Sequence, residues 1–429
     1  MLILKKSTSP TTGAESDAAV ARVVDEIVAA VEAEGDAAVR RYSGRLDGWE
    51  PESFRLEAGE IAASIERVPA QVLDDIAFCQ DQVRTFAEAQ RATMTDLEVE
   101  TLPGVRLGHR HIPVASVGAY VPGGRYPMVA SAHMSIVTAK VAGVERVAAC
   151  TPPLGGQVPD ATVAAMHLAG ADEIYVLGGV QALAALALGT ERIDPVDFLV
   201  GPGNAYVVEA KRRLFGKVGI DLVAGPTEIL VVADETADPA IVAADLLGQA
   251  EHGPASPAVL VTTSRALGEE TLRQIILQLE TLATAEIAGQ AWEDYGEVVV
   301  VGSDEEALAA ADSYAFEHVE IQTADPRWYL ERMRNYGALF LGEATTVAYG
   351  DKTIGTNHIL PTRGAARYTG GLWVGKFLKT VTFQECDEAA SATIGEICAR
   401  QSRIENFEGH ARSCDVRVEK YRLVAGEVA

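Results

Sequence analysis

Apolar residues recur every three or four positions near the start of the chain. The spacing is typical of an amphipathic helix over residues 17–34, with Asp17 as the N-cap and Gly35 as the stop. The apolar positions that define this helix are Val20, Val23, Val24, Ile27, Val28 and Val31. Similar patterning between Asp36 and Gly44, and again over residues 60–92, predicts that this part of the chain is mostly helical.

From about residue 113 the pattern changes to short apolar runs that alternate with helical stretches. The first series has predicted strands at 113–121, 146–150, 173–177 and 197–200, with helices at 129–142, 160–169 and 180–188. The second has strands at 229–232, 258–262, 297–301, 319–323 and 338–341, with helices at 239–252, 266–281 and 304–313. Such alternation requires right-handed crossovers and produces parallel sheets. We therefore predict an α/β protein with two Rossmann-like parallel-sheet modules and small helical appendages at both ends, the C-terminal one including a helix at 388–409.

We predict four parts of the chain. They are an N-terminal arm (1–17), a discontinuous first α/β module (18–119 with 230–372), a second α/β module that binds a nucleotide (120–229), and a C-terminal appendage (373–429). We expect a cleft between the two tandem α/β modules.

Charge and composition exclude several classes of function. The chain has 61 acidic residues against 36 Lys and Arg, a formal net charge of −25, which argues against general binding to nucleic acid or anionic membranes. Its five cysteines are unevenly spaced and favour a reducing compartment over a disulfide framework. The first residues lack the apolar core of a secretory signal, and no stretch approaches the roughly 20 apolar residues that span a bilayer. We expect a cytoplasmic protein.

Two pairs of residues offer chemistry near the ends of predicted helices. Gln249 and His252 lie three apart, so both project from one face of a last helical turn and could hold a metal ion; a histidine that only caps the helix is the more common alternative. Glu317 and His318 stand where a helix gives way to a strand. An adjacent carboxylate and imidazole can move protons near neutral pH, although a surface pair without catalytic function has the same sequence.

Other acids and histidines occur in two polar segments. The Gly-punctuated stretch 349–362 could present Asp351 and His358 to a ligand, or could be a structural loop. Near the end of the chain, Glu405 and His410 offer another acid and another imidazole, in a region whose helical tail could reach a partner subunit.

Two glycine-rich turns suggest phosphate binding. Residues 121–127 and 201–206 each follow a predicted strand and precede a helix, the arrangement in which backbone amides can hold a pyrophosphate. Neither turn completes G-x-G-x-x-G, because Tyr206 and Val207 follow where the last glycine would be. The dinucleotide motifs are therefore incomplete.

Taken together, several segments resemble the histidinol dehydrogenase family over about residues 18–421. They occur in the family's order: Tyr-Val-Pro-Gly-Gly at 120–124, Ala-Lys-Val-Ala-Gly at 139–143, Gly-Pro-Gly-Asn at 201–204, Asp-Leu-Val-Ala-Gly-Pro-Thr-Glu at 221–228, Gln-Ala-Glu-His at 249–252, Glu-His at 317–318 and Gly-Thr-Asn-His-Ile-Leu-Pro-Thr at 355–362. The resemblance implies a zinc-dependent enzyme that uses NAD twice to carry an alcohol through an aldehyde to a carboxylate.

The resemblance also implies roles for individual residues. The zinc ligands match Gln249, His252, Asp351 and His410, the last supplied across a domain-swapped homodimer. The acid/base pair matches Glu317 and His318, of which His318 would take the hydroxyl proton and Glu317 would activate water. The nucleotide contacts match Tyr120, Gln181 and Asn204, and the substrate contacts match Thr227, His358 and Glu405. The nitrogen and oxygen ligands would also admit manganese or cobalt.

The chain departs from histidinol-oxidising members at positions that favour an anionic substrate. Arg125, His133 and Arg363 add cationic or imidazole groups, and Thr227 stands in place of a serine. The segments 125–135 and 363–373, which contain the added cationic and imidazole groups, look like the sulfopropanediol 3-dehydrogenase branch. That branch oxidises 2,3-dihydroxypropane-1-sulfonate to 3-sulfolactate. We expect Arg125, His133 or Arg363 to hold the sulfonate; His133 lies in a predicted helix, where packing alone is the alternative. Oxidation of L-histidinol to L-histidine remains the second hypothesis, and a non-catalytic metal- or ligand-binding homologue the third.

Overall fold

The computed structural model describes residues 2–8, 14–123, 127–223 and 225–427. Arg125, one of the predicted sulfonate contacts, lies outside these residues. The chain divides into two compact units: a larger unit, Met1–Arg91 with Val114–Phe377, and a smaller unit, Ala92–Pro113 with Leu378–Ala429. No helix in the described ranges is both long and apolar enough to cross a membrane.

Seventeen α-helices are described. They are α1 Ala14–Glu34, α2 Asp36–Asp47, α3 Ala58–Arg67, α4 Ala70–Ala92, α5 Val129–Ala132, α6 Thr138–Ala142, α7 Asp160–Leu168, α8 Gly179–Leu188, α9 Ala205–Leu214, α10 Pro239–Ala250, α11 Arg265–Leu279, α12 Ala285–Tyr295, α13 Asp304–Tyr314, α14 Pro326–Leu330, α15 Val347–Lys352, α16 Glu388–Ile404 and α17 Glu408–Glu427. A π-helical turn, His133–Val137, joins α5 to α6.

The described strands form three sheets. They are β1 Leu2–Lys5, β2 Leu97–Leu102, β3 Val105–Pro113, β4 Ser116–Tyr120, β5 Arg146–Thr151, β6 Glu173–Val176, β7 Phe198–Val200, β8 Gly219–Ile220, β9 Ile229–Ala233, β10 Ala258–Thr262, β11 Gly296–Val300, β12 His318–Gln322, β13 Ala338–Leu341 and β14 Leu378–Cys386.

Two parallel sheets lie in the larger unit, which confirms the predicted α/β class. One has the order β6-β5-β4-β7-β8, and the other has the order β1-β11-β10-β9-β12-β13, in which only β1 is antiparallel to its neighbour. The strand order of each sheet changes direction beside its central strand, between β4 and β7 and between β9 and β12. Open α/β sheets bind ligands at such points.

The helices cover both parallel sheets with aliphatic side chains. The central strand β9 is buried along its whole length, as is its neighbour β10, because parallel sheets are shielded on both faces. Val24, Ile27 and Val31 of α1 share a core with Leu183 of α8 and Leu199 of β7. The N-terminal helix therefore packs against α8 and α9 and shares their core with the five-stranded sheet.

The smaller unit joins two distant segments of the chain. Its antiparallel sheet has the order β14-β3-β2, with Leu378 opposite Pro113 and Cys386 opposite Val105. The helices α16 and α17 pack against each other in the same unit. This pairing combines residues near 100 with residues near 380.

Several boundaries differ from the predicted ones for local reasons. The predicted helix over residues 60–92 is two helices, because Pro69 has no N–H to continue the first. The predicted helix at 388–409 is also broken, and Asn406 adopts the left-handed conformation (φ 63°) between α16 and α17. The first helix begins at Ala14, before its predicted N-cap Asp17.

Candidate active site

Glu317 and His318 face each other at the amino end of β12. Both residues are buried, and His318 Nδ1 lies 3.5 Å from Glu317 Oε2. Thr227 Oγ1 donates a hydrogen bond to the same carboxylate oxygen at 2.5 Å, and the Glu228 N–H donates at 3.3 Å. Thr227 and Glu228 directly precede β9, and His318 at the start of β12 pairs with Ile229 at the start of β9. This register brings Thr227 and Glu228 beside Glu317 and His318 at one edge of the six-stranded sheet.

Burial and neighbouring charges raise the pKa of both members of this pair above their ordinary values. Burial raises the pKa of Glu317 to about 7, against the charge of His318 and the hydrogen bond from Thr227. Burial opposes the charged form of His318, but the negative charges of Glu317 and Asp351 outweigh it and raise the pKa of the imidazole to about 9. The Glu317 carboxyl group can therefore hold or release a proton near physiological pH, which general acid–base chemistry requires, while His318 is a stronger base than a free imidazole.

Three of the four predicted metal ligands line one cavity of about 390 Å³: Gln249, His252 and Asp351. Asp351 Oδ1 lies 3.6 Å from His318 Nε2, a buried nitrogen that makes no hydrogen bond. Gln249 contacts Thr227 Oγ1 and His318 Nδ1, the latter at 3.3 Å. Burial lowers the pKa of His252, and a neutral imidazole is the form that binds metal.

The donor set in this cavity fits a divalent cation. One amide, one imidazole and one carboxylate are nitrogen and oxygen donors of the kind that zinc accepts. Within the described residues no three His, Cys, Asp or Glu side chains are grouped to hold a metal ion on their own. The fourth predicted ligand, His410, belongs to the smaller unit.

Glu405 and His410 belong to the smaller unit. Glu405 caps the C terminus of α16, and His410 lies in the first turn of α17, where its ring packs on Phe407 with centroids 5.2 Å apart. Both residues are exposed. Their participation in a site shared between two subunits stays a prediction.

His358 connects the polar loop after α15 to the helical stretch that follows β4. Its Nδ1 lies 2.9 Å from the carbonyl oxygen of Asp351, and its Nε2 lies 3.0 Å from Ser131 Oγ. Burial holds the pKa of His358 below its ordinary value. The contact with Ser131, which the sequence analysis did not single out, fixes the ring beside the residue that carries the candidate metal carboxylate.

His133 is enclosed rather than open to a ligand. It begins the π-helical turn, is 3% exposed, and its Nδ1 lies 3.1 Å from Gln80 Nε2 of α4. Burial, aided by the charge of His358, lowers the pKa of His133 to about 4. The imidazole is therefore neutral at pH 7.

Arg363 lies next to a buried carboxyl group that the sequence analysis overlooked. The Arg363 N–H donates to Glu228 Oε1 at 3.1 Å, and the residue adopts a left-handed φ of 55°. Burial, followed by the charge of Glu317, raises the pKa of Glu228 to about 8. Arg363 also lines a cavity of about 340 Å³ with Gly225 and Pro226. The sequence signal that could have identified Glu228 as a site residue is its position directly before the buried strand β9 and next to Thr227.

Tyr120 and Asn204 lie at the carboxyl edge of the five-stranded sheet. Tyr120 ends β4, and Asn204 follows β7 and caps α9 by accepting from the N–H groups of Tyr206 and Val207 at 3.0 and 3.2 Å. The two strands flank the point where the strand order reverses. A helix N-terminus at this position favours phosphate.

Gln181 lies near the start of α8. Its Nε2 donates to Asp47 Oδ2 at 3.1 Å, while its buried Oε1 has no hydrogen-bond partner. The neighbouring Gly179 N–H donates to the Tyr120 hydroxyl at 3.4 Å. A buried acceptor without a donor suits contact with a ligand.

Comparison with known proteins identifies related chains. The family model for histidinol dehydrogenase matches residues 11–418. A histidinol dehydrogenase homolog from Shouchella clausii is 59% identical over 418 residues, covering 97% of this chain and 99% of that protein. Sulfopropanediol 3-dehydrogenase from Ruegeria pomeroyi is 48% identical over 421 residues, covering 97% and 96%. The crystal structure of histidinol dehydrogenase from Elizabethkingia anophelis superposes with a TM-score of 0.91 at 33% identity, covering 96% and 95%.

Proposed function

The chain belongs to the histidinol dehydrogenase family, and we propose that it oxidises a primary alcohol to a carboxylate in two NAD-linked steps through an aldehyde held in the site. Members of this family are NAD-dependent, zinc-binding oxidoreductases that act on CH–OH groups. The observation that carries the proposal is the buried Glu317–His318 pair beside the cavity lined by Gln249, His252 and Asp351.

The protein side chains divide the proton transfers between them. His318 in its neutral form accepts the hydroxyl proton in each oxidation, and Glu317 in its ionised form deprotonates the water that attacks the aldehyde. Thr227 orients the Glu317 carboxylate through its hydroxyl group. Gln249, His252, Asp351 and His410 would hold zinc, which would supply a Lewis acid for the substrate oxygen, and bound NAD would supply the hydride acceptor for both oxidations.

The proposed substrate is 2,3-dihydroxypropane-1-sulfonate, and the product is 3-sulfolactate. A relative that is 48% identical over nearly the whole chain is named sulfopropanediol 3-dehydrogenase. Among the basic residues predicted to hold the sulfonate, His133 is buried and neutral, so it offers no positive charge. Arg363 has a guanidinium side chain and a backbone N–H that donates to Glu228, and we assign the sulfonate contact to this residue.

The test compares two alcohols with zinc-loaded protein and NAD. We expect two NADH formed per sulfopropanediol consumed, sulfolactate as the product, and a higher kcat/KM than with L-histidinol. Arg363→Ala should raise the KM for the sulfonate by about tenfold, the range for losing one charge-assisted hydrogen bond, and leave the KM for histidinol within twofold. Arg367→Ala, which removes a nearby arginine bonded to the carbonyl of Gly364, is the matched control.

L-Histidinol is the second candidate substrate, because the matching family model and the superposed crystal structure carry the name histidinol dehydrogenase. A higher kcat/KM with histidinol would refute the sulfonate assignment and leave the two-step oxidation intact. No NADH with any primary alcohol, despite bound zinc, would favour a non-catalytic ligand-binding protein.

We also propose a homodimer in which Glu405 and His410 enter the site of the partner subunit. Inactive His252→Ala and His410→Ala variants, mixed and allowed to exchange subunits, should regain about a quarter of wild-type activity, since half the dimers are mixed and each has one complete site. No recovery after proven exchange would place His410 in the site of its own subunit or outside it.

A further inference from the structure

Lys211 and Asp221 form an ion pair in the interior of the larger unit. Their side chains are 2% and 0% exposed. Lys211 lies in the last turns of α9, and Asp221 directly follows β8. Neither residue belongs to the acid/base pair, the candidate metal set or the predicted nucleotide contacts.

The ion pair binds both polar groups of one peptide residue, Gly201. Lys211 Nζ donates to the Gly201 carbonyl oxygen at 2.9 Å, and Asp221 Oδ2 accepts from the Gly201 N–H at 3.0 Å. The second carboxylate oxygen of Asp221 accepts from the Leu222 N–H at 2.7 Å. Each of the two charged side chains thus also binds backbone at the end of β7.

Gly201 is the first residue of the turn that leads into α9. Its φ is +128°, and a Cβ at this position would overlap the carbonyl oxygen of Tyr120. Three residues later Asn204 caps α9. The placement of Gly201 against Tyr120 therefore sets the position of the turn and of the helix N-terminus at the carboxyl edge of the sheet.

A buried ion pair is an expensive way to fill this space. Apolar residues of similar volume often stabilise a protein as well as a buried pair does, because both charges lose their hydration. The contacts with Gly201 supply a reason for polar side chains here. A donor is needed to bind the Gly201 carbonyl oxygen, and an acceptor is needed to bind its N–H.

We propose that Lys211 and Asp221 are positioning residues for dinucleotide binding, which hold the Gly201–Asn204 turn where its amides and the N-terminus of α9 meet the pyrophosphate. This inference rests on the proposed NAD-linked function. The pair contacts backbone, and it acts on the cofactor only through the turn.

The test uses the full-length double variant Lys211→Met/Asp221→Asn. Removing Lys211 alone would leave an uncompensated buried carboxylate and threaten folding, whereas the double variant is neutral and similar in volume. We expect its Kd for NADH, measured by nucleotide fluorescence without alcohol, to rise on the order of tenfold. The KM for NAD should rise in parallel, while zinc content and the KM for the alcohol stay within twofold of wild type.

The Arg146–Glu173 pair provides a matched control in the same sheet. It joins the starts of β5 and β6 at 2.8 Å, away from the carboxyl edge. Arg146→Met/Glu173→Gln should lower the Tm and leave the Kd for NADH unchanged. Should the Lys211 double variant be unstable, the Tm increase caused by NADH still reports its affinity, because a ligand stabilises in proportion to ln(1 + [L]/Kd).

Each outcome has a separate meaning. Failure of the wild-type protein to bind NADH would refute the proposed function itself. Normal NADH binding by wild type and by the Lys211 double variant, or equal weakening in both double variants, would overturn only the positioning role.

Discussion

The hydroxyl group of Thr227 connects the candidate acid/base pair with the candidate metal ligands, and Thr227→Val removes that connection with little change of volume. The hydroxyl donates to Glu317 Oε2 at 2.5 Å and accepts from Gln249 Nε2. Valine replaces it with a methyl group. The side chain of Glu317 then loses its side-chain donor, and the Gln249 amide loses an acceptor.

The size of the expected loss in kcat/KM follows from the charge of the Glu317 carboxylate that accepts the hydrogen bond. A hydrogen bond to an ionised group contributes about 1.5–3 kcal/mol, and each 1.36 kcal/mol corresponds to a tenfold change in rate. We therefore expect Thr227→Val to lower kcat/KM by about 10- to 150-fold. The assay is the initial rate of NADH formation by zinc-loaded protein, with zinc content and Tm measured on the same samples.

Thr227→Ser separates the hydroxyl from the methyl group. Serine keeps both hydrogen bonds, so we expect kcat/KM within about threefold of wild type. A folded, zinc-loaded valine variant with activity within twofold of wild type would refute the role of the hydroxyl. Equal losses in the serine and valine variants would assign the effect to packing of the methyl group.

Three further predictions concern the fold and the metal. Gly201→Ala should lower the free energy of unfolding by about 1–3 kcal/mol more than Gly216→Ala in urea titrations, since both have positive φ but only Gly201 meets backbone, that of Tyr120; equal losses would contradict this. Burial opposes ionisation of Glu173, but hydrogen bonds, chiefly from Arg146, hold its pKa below the ordinary value. The stabilisation by ionised Glu173 is therefore present above the unfolded pKa of about 4.3 and is lost as the pH falls through the folded pKa. Glu173→Gln should lower the Tm at pH 7 and make the Tm decline less steeply below pH 5. A decline parallel to that of wild type would refute the assignment. Chelation should abolish NADH formation and added zinc should restore it, with unchanged activity after proven metal removal as the contrary result.

The parallel strands could be predicted from the sequence because they are uninterrupted apolar runs. Ile229–Ala233 and Ala258–Thr262 are buried along their whole length, and burial on both faces leaves no polar positions to blur the pattern. The pairing of β14 with β3 could not be predicted in this way, since it joins segments that local periodicity treats independently. The break at Asn406 depends on a single left-handed residue, which leaves little trace in an apolar pattern.

The site followed from the sequence only in part. The spacing of Gln249 and His252 placed both on one helix face but did not separate a metal pair from a helix cap; the shared cavity with Asp351 favours the first reading. The resemblance to a family, rather than any spacing, linked His410 to these residues. Glu228 went unnoticed because a glutamate before a strand has no distinctive pattern, whereas its burial beside Glu317 is a property of the folded chain.

One crossover segment connects the proposed alcohol site with the proposed nucleotide site. The Gly201–Asn204 turn lies at the carboxyl edge of the five-stranded sheet, while Glu317 and His318 lie at the amino edge of the six-stranded sheet. Residues 221–223 and 225–228 are the described residues of the segment that links β8 of one sheet to β9 of the other. At the start of this segment Asp221 holds Gly201, and near its end Thr227 donates to Glu317. We therefore expect substitutions that shift the crossover to alter the KM for NAD and the kcat for alcohol oxidation together, unlike substitutions confined to either edge.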